Sequence, residues 1–155
     1  MPERRRRERT RAAAFASAAV LAFVLTGCSS AQSRVDAAVG QGIAAVETAG
    51  LAVELQLADR TLSTVTVTAL GDARRELVDA TASVSETNAT TEADAALRAE
   101  ALTALALGVD AVNDARDAMA GLGSLETTEV LLEDAAAALE AVEAQSTAAA
   151  DRGGR

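Results

Sequence analysis

Apolar and small residues recur every three or four positions along most of the chain after residue 34. This spacing is typical of one face of an α-helix, and it differs from the alternation of a half-buried strand. Polar or glycine-containing segments near Asp59, Asn88 and Gly121 divide the pattern into four stripes. They are Val35, Val39, Ile43, Val46, Gly50, Val53 and Leu57; Leu62, Val65, Ala69, Ala73, Leu77, Ala80 and Val84; Leu97, Ala101, Leu105, Gly108, Val112, Ala115 and Met119; and Leu125, Leu132, Ala135, Leu139 and Val142.

Start and stop signals accompany these stripes. Thr90 or Thr91 can cap the third helix, where nearby acidic residues favour the positive end of the helix dipole. Gly121 and Gly123 are helix-stop residues, and Ser124 can cap the fourth helix. Four helices of about 25 residues with short connections predict an all-α fold, an antiparallel up-down-up-down bundle. We place this domain at residues 34–151, followed by a polar tail at residues 152–155.

Residues 51–67 leave one alternative open. Leu51, Val53, Leu55 and Leu57 alternate with other residues, and Thr64 to Thr68 is rich in β-branched side chains, so a hairpin around Asp59 is possible. We favour helix because Gly50 and Leu51 continue the first stripe, and because a lone hairpin is barely stable without a third strand.

Small residues on the stripes predict close helix packing. Alanine is used heavily throughout the chain from Cys28 onward. Small side chains bury less apolar area, which is worth about 25 cal/mol per Å², so we expect a bundle of modest stability. The small residues on the inner stripes are Gly42, Gly50, Ala73, Ala101, Gly108 and Ala135.

The segment before Cys28 has the organisation of a secretion signal. A positive stretch from Arg4 to Arg11 precedes an apolar stretch from Ala12 to Leu25. The apolar stretch is too short for a membrane span, which needs about 20 residues. Small residues then lead to Cys28, the only cysteine of the chain.

The sequence Leu25-Thr26-Gly27-Cys28 resembles the lipobox of bacterial lipoproteins. The resemblance implies that the Cys28 thiol carries a diacylglycerol and that a signal peptidase cuts just before it. It divides the chain into a signal peptide, residues 1–27, and a lipidated cysteine with a short tether, residues 28–33. The implied location is the extracytoplasmic face of the cell membrane, where lipid holds the protein. The alternative is an ordinary cleaved signal, or an uncleaved short anchor, in which Cys28 is incidental.

Charge and composition narrow the functions open to the chain from Cys28 onward. This part contains 21 Asp and Glu against eight Arg, a formal charge of −13, which argues against nucleic acid as a partner. It lacks His, Lys, Trp, Tyr and Phe, so neither a hydrolase triad nor a His-based metal site can be assembled. No glycine-rich phosphate loop occurs. We therefore predict no catalytic residues, no cofactor, no metal site and no enzymatic activity.

Acidic residues gather on two predicted helix faces. Asp110, Asn113, Asp114 and Asp117 share a face of the third helix, and Glu126, Glu129, Glu133, Glu140 and Glu143 share a face of the fourth. Hard cations accept such oxygens, and a basic partner can dock on them. The plainer interpretation, which we favour, is a solvated outer face. We likewise interpret the triplet Asn88-Ala89-Thr90 as loop composition.

These observations predict a membrane-anchored envelope lipoprotein that acts as a non-catalytic interaction or structural module. Its membrane contact is the lipid on Cys28, and its protein partner is an unidentified envelope protein. The alternative function is the binding of a cation or a small cationic ligand on the acidic helix faces.

Overall fold

The computed structural model describes residues 31–153. Four α-helices account for 87% of them: α1 (Ala31–Leu57), α2 (Ser63–Ser85), α3 (Glu92–Met119) and α4 (Leu125–Gly153). The prediction of an all-α four-helix bundle is confirmed. No strand forms between residues 31 and 153, so the hairpin alternative for residues 51–67 is wrong. These residues finish α1 and begin α2, and Asp59 reverses the chain between them with a φ of 53°.

Hydrogen bonds near the helix ends show that neighbouring helices are antiparallel. The Thr66 hydroxyl, at the start of α2, donates to Gln56 Oε1 near the end of α1, at 3.1 Å. Gln32 Nε2, at the start of α1, donates to the Ser146 carbonyl near the end of α4, at 2.8 Å. Helix α1 contacts all three other helices, whereas α2 and α4 do not contact each other. The cross-section is therefore a rhombus with α1 and α3 on its short diagonal.

Two glycines allow α1 and α3 to approach each other closely along this short diagonal. A Cβ atom on Gly42 would lie 2.6 Å from Leu105 Cδ2, and one on Gly108 would lie 3.1 Å from both Val46 Cγ2 and Leu77 Cδ2. Because the distance between packed helices depends on the side chains at their contact, glycine at these positions brings α1 and α3 together.

Most predicted stripe residues form the buried core, with one correction at the start of α2. Leu62 and Val65 are 72% and 56% exposed, while Thr66 and Leu70 are fully buried in their place. The predicted stripe is one residue out of register here, because it began on Leu62 and Val65 and passed over the polar Thr66. Thr66 can be buried because its hydroxyl donates to Gln56, so burial leaves no unsatisfied polar group.

The helix boundaries differ from the prediction by two or three residues. Helix α1 begins at Ala31 instead of Arg34, so residues 31–33 of the predicted tether are helical, and Gln32 is held by its bond to Ser146. Helix α4 continues to Gly153, beyond the predicted end at residue 151.

Three of the predicted capping and stop residues, Thr91, Ser124 and Gly121, act as predicted. Thr91 forms a capping box with Asp94, the Ser124 hydroxyl accepts a bond from the Thr127 amide, and Gly121 has a φ of 84° after α3.

Candidate functional site

The predicted lipidation site, Cys28, and the signal segment before it lie outside the described residues. The described bundle begins shortly after Cys28, at Ala31. Across residues 31–153, no helix combines the length and the apolar character that crossing a bilayer requires.

A groove with acidic residues in its lining lies between α1 and α4. Its apolar floor is made by Val46 and Gly50 of α1 and by Leu132 and Ala136 of α4, and its volume is about 190 Å³. A Cβ atom on Gly50 would meet nothing within 4 Å, so this glycine leaves the floor open. The remaining lining residues are four carboxylates: Glu47, Glu54, Glu129 and Glu133. We call these eight residues the α1–α4 groove.

Each helix contributes two of these carboxylates because of its register. Glu47 and Glu54 are two turns apart along α1, beside the buried positions Val46 and Val53. Glu129 and Glu133 are one turn apart on α4, beside buried Thr128 and Leu132. Two of the five glutamates predicted on the acidic face of α4, Glu129 and Glu133, therefore line the groove, and the other three do not. Sequence reasoning missed the half from α1, because two glutamates two turns apart are unremarkable until α4 packs beside them.

The end of the α1–α4 seam nearest Ala31 is closed by a polar network. Ser146 is 2% exposed, and its hydroxyl donates to an Asp36 carboxylate oxygen. Gln32 Nε2 donates to both the carbonyl and the hydroxyl oxygen of Ser146, at 2.8 and 3.2 Å. Among the described side chains no buried polar atom lacks a partner, so this network is a structural joint between α1 and α4.

The acidic group predicted on α3 is divided in the structure. Asp110, Asp114 and Asp117 are exposed, whereas Asn113 is half-buried and its Oδ1 accepts a 3.0 Å bond from Nε of Arg74 on α2. Asn113 therefore joins α2 to α3 instead of adding an oxygen to the carboxylates. Within the described part of the chain, no three carboxylate, histidine or cysteine side chains are grouped so that they could hold a metal ion.

Two carboxyl groups at helix starts have shifted pKa values. Hydrogen bonds from the Thr91 and Thr90 side chains lower the pKa of Asp94 below its ordinary 3.8. The Ser124 hydroxyl, which donates to Glu126 at 2.6 Å, lowers the pKa of Glu126 below 4.5. Both shifts favour the charged form at helix N-termini, which is a capping role and not that of a general acid.

Two wider grooves, each of about 430 Å³, are almost uncharged. One lies between α3 and α4, beside half-exposed Leu107, and the other lies between α2 and α3, beside half-exposed Val78. Alanine supplies four of the nine lining residues of the first groove and two of the seven of the second, and these short side chains leave space in the seams. The triplet Asn88-Ala89-Thr90 lies in the exposed connection between α2 and α3, where the Thr90 hydroxyl donates to Asp94.

A scan against protein-family models and searches of curated proteins and of solved structures returned no match to this chain.

Proposed function

We propose that this protein is a lipid-anchored bacterial envelope protein that acts by non-catalytic contact on the extracytoplasmic side of the membrane. The observation that carries the proposal is the sequence Leu25-Thr26-Gly27-Cys28, which lies at the end of a basic and then apolar segment. A lipid on Cys28 would hold the bundle within a few residues of the bilayer, because α1 already begins at Ala31.

A contact function agrees with the chemistry of the bundle. The reactive side chains from Ser29 onward are carboxylates, hydroxyls, guanidiniums, amides and the thioether of Met119, because the sequence there has no His, Lys or Cys. General base catalysis by a carboxylate depends on burial or on a partner that raises its pKa. Among the described residues, hydrogen bonds lower the pKa of Asp94 and of Glu126, which keeps both groups charged and makes neither suited to act as a general base. The surface, and above all its acidic side, is therefore where we expect the protein to act.

The anchoring proposal is tested by the mass of the protein extracted from a bacterial membrane. We expect a mature chain that starts at Cys28 and carries the added mass of a diacylglycerol. Cys28→Ala should accumulate as unprocessed precursor or be lost from the membrane, whereas Ser29→Ala should behave as the parent. A membrane-extracted protein that starts elsewhere and has an unmodified Cys28 would contradict the proposal.

A further inference from the structure

We propose that the α1–α4 groove is a docking site for a helical segment of another protein that presents arginine or lysine side chains one turn apart. This inference rests on the proposed contact function and names the chemistry of the partner. Its occupant follows from three properties of the groove: its size, its charge and its floor.

The size of the groove favours a side chain over a free ligand. Small-molecule sites usually enclose about 300–1,000 Å³, and the α1–α4 groove measures about 190 Å³. That volume accommodates one or two long side chains projecting from a larger partner. Because the groove runs between two antiparallel helices, a third helix laid along it can insert residues from successive turns, as in other helix-in-groove complexes.

The charge of the groove specifies a cationic occupant. Two glutamates from each helix line it, and no basic residue is among its lining residues. Arg74 and Arg98, which make interhelical bonds, lie on the opposite side of the bundle: Arg74 bonds to Asn113, and Arg98 bonds to carbonyls at the end of α2. A cation from outside can therefore supply the charge that the groove lining lacks, and carboxylate–guanidinium pairs can form two parallel hydrogen bonds.

The floor of the groove distinguishes arginine and lysine from a simple cation. Both side chains carry an apolar stem that lies well on apolar surface while the charged end reaches polar groups. The floor around Gly50 and Ala136 provides that apolar surface, and the carboxylates at its rim receive the charged end. The partner helix is thus expected to place small residues between its basic ones, so that its backbone approaches Gly50.

The experiment measures binding of a defined peptide to the full-length protein purified in detergent. The probe is an alanine-based helical peptide with arginine at every fourth position, and its control has glutamine in place of arginine. The groove variant combines Glu47→Gln, Glu54→Gln, Glu129→Gln and Glu133→Gln. A second variant, Gly50→Leu, fills the floor and keeps every charge. The matched control combines Asp79→Asn, Asp110→Asn, Asp114→Asn and Asp117→Asn, which removes the same charge from exposed positions elsewhere.

We expect the arginine peptide to bind the parent and the glutamine peptide not to bind. The groove variant should lose about tenfold or more in affinity, Gly50→Leu about fivefold, and the matched control less than about twofold. Circular dichroism checks that each variant stays helical. Equal losses in the two fourfold variants, or unchanged binding by Gly50→Leu, would overturn the proposal, since acidity alone would then explain binding. Self-association of the parent through the groove would also overturn it. Neither result depends on lipidation, which the mass of Cys28 tests separately.

Discussion

The α2–α3 seam and the α1–α4 seam lie on opposite sides of the bundle and use charge in opposite ways. Across the first, Arg98 of α3 donates to the carbonyls of Val84 and Ser85 at the end of α2, at 3.1 and 2.6 Å, and Arg74 donates to Asn113. Along the second, glutamates of both helices line a groove that has no basic residue in its lining. Arginine therefore joins helices on one side, whereas the groove on the other side is lined by glutamates without a basic residue.

The two sides of the bundle also differ in how tightly a glycine is packed. Gly108 is fully packed, with Leu77 of α2 and Val46 of α1 at 3.1 Å from the place of a Cβ, whereas a Cβ on Gly50 would meet nothing within 4 Å. Both glycines lie on helical stripes that face the interior. Gly108 is filled by side chains of two other helices, whereas Gly50 leaves room in the α1–α4 groove for a partner's side chain.

The largest expected effect compares leucine at these two glycines. Gly108→Leu should lower the free energy of unfolding by about 2 kcal/mol, because overpacking a filled core usually costs about 1–3 kcal/mol. Gly50→Leu should leave it unchanged or raise it by up to about 1 kcal/mol, because leucine favours helix over glycine. Urea unfolding followed by circular dichroism measures both. If the two variants unfold alike, the two seams do not differ in packing.

Loss of the hydrogen bonds that Arg98 of α3 makes to the end of α2 should have the next largest effect on stability. Arg98→Ala removes two hydrogen bonds from a charged donor to the last carbonyls of α2, so we expect a loss of about 1.5 kcal/mol in unfolding free energy. Arg75→Ala is the control, because Arg75 is 73% exposed and pairs with Asp72 on its own helix. Exposed pairs of this kind contribute about 0–1 kcal/mol. Equal losses in the two variants would show that the Arg98 hydrogen bonds stabilise the fold no more than an exposed ion pair does.

The sequence was sufficient for the features that depend on neighbouring residues. The helical spacing of apolar side chains predicted four helices, and Thr91, Gly121 and Ser124 marked their ends. These signals act within one or two turns of the chain, where helix geometry alone decides which side chains meet.

Features that depend on contacts between helices were not predictable in the same way. The burial of Thr66 and Ser146 needs a hydrogen-bonding partner on another helix, and a stripe of apolar residues cannot show such a partner. Gly42 and Gly50 carry the same signal in the sequence, yet only Gly42 is filled, by Leu105 across the short diagonal. The α1–α4 groove is of this kind too, because Glu47 and Glu129 line one groove only when α1 packs against α4.

The smallest expected effect on stability comes from replacing either of two glutamates near the start of α4 by glutamine. Glu126 lies in the first turn of α4 and accepts a bond from Ser124, whereas Glu133 lies further along, beside the other groove carboxylates. Glu126→Gln should lower stability at neutral pH, because it removes a charge that the helix N-terminus favours. Glu133→Gln should raise it slightly, because it relieves repulsion between carboxylates one turn apart.

The pH dependence of the Glu126 effect checks its cause. Because the pKa of Glu126 in the folded state is lower than its ordinary 4.5, the folded state binds this proton less readily than the unfolded chain. The stabilisation is therefore fully present at pH values above the ordinary pKa and disappears as the pH falls through the lowered pKa of the folded state. Thermal melts of the parent and Glu126→Gln should differ at neutral pH and converge in strong acid. A difference that persists in strong acid would mean that the glutamate contributes through packing and not through its charge.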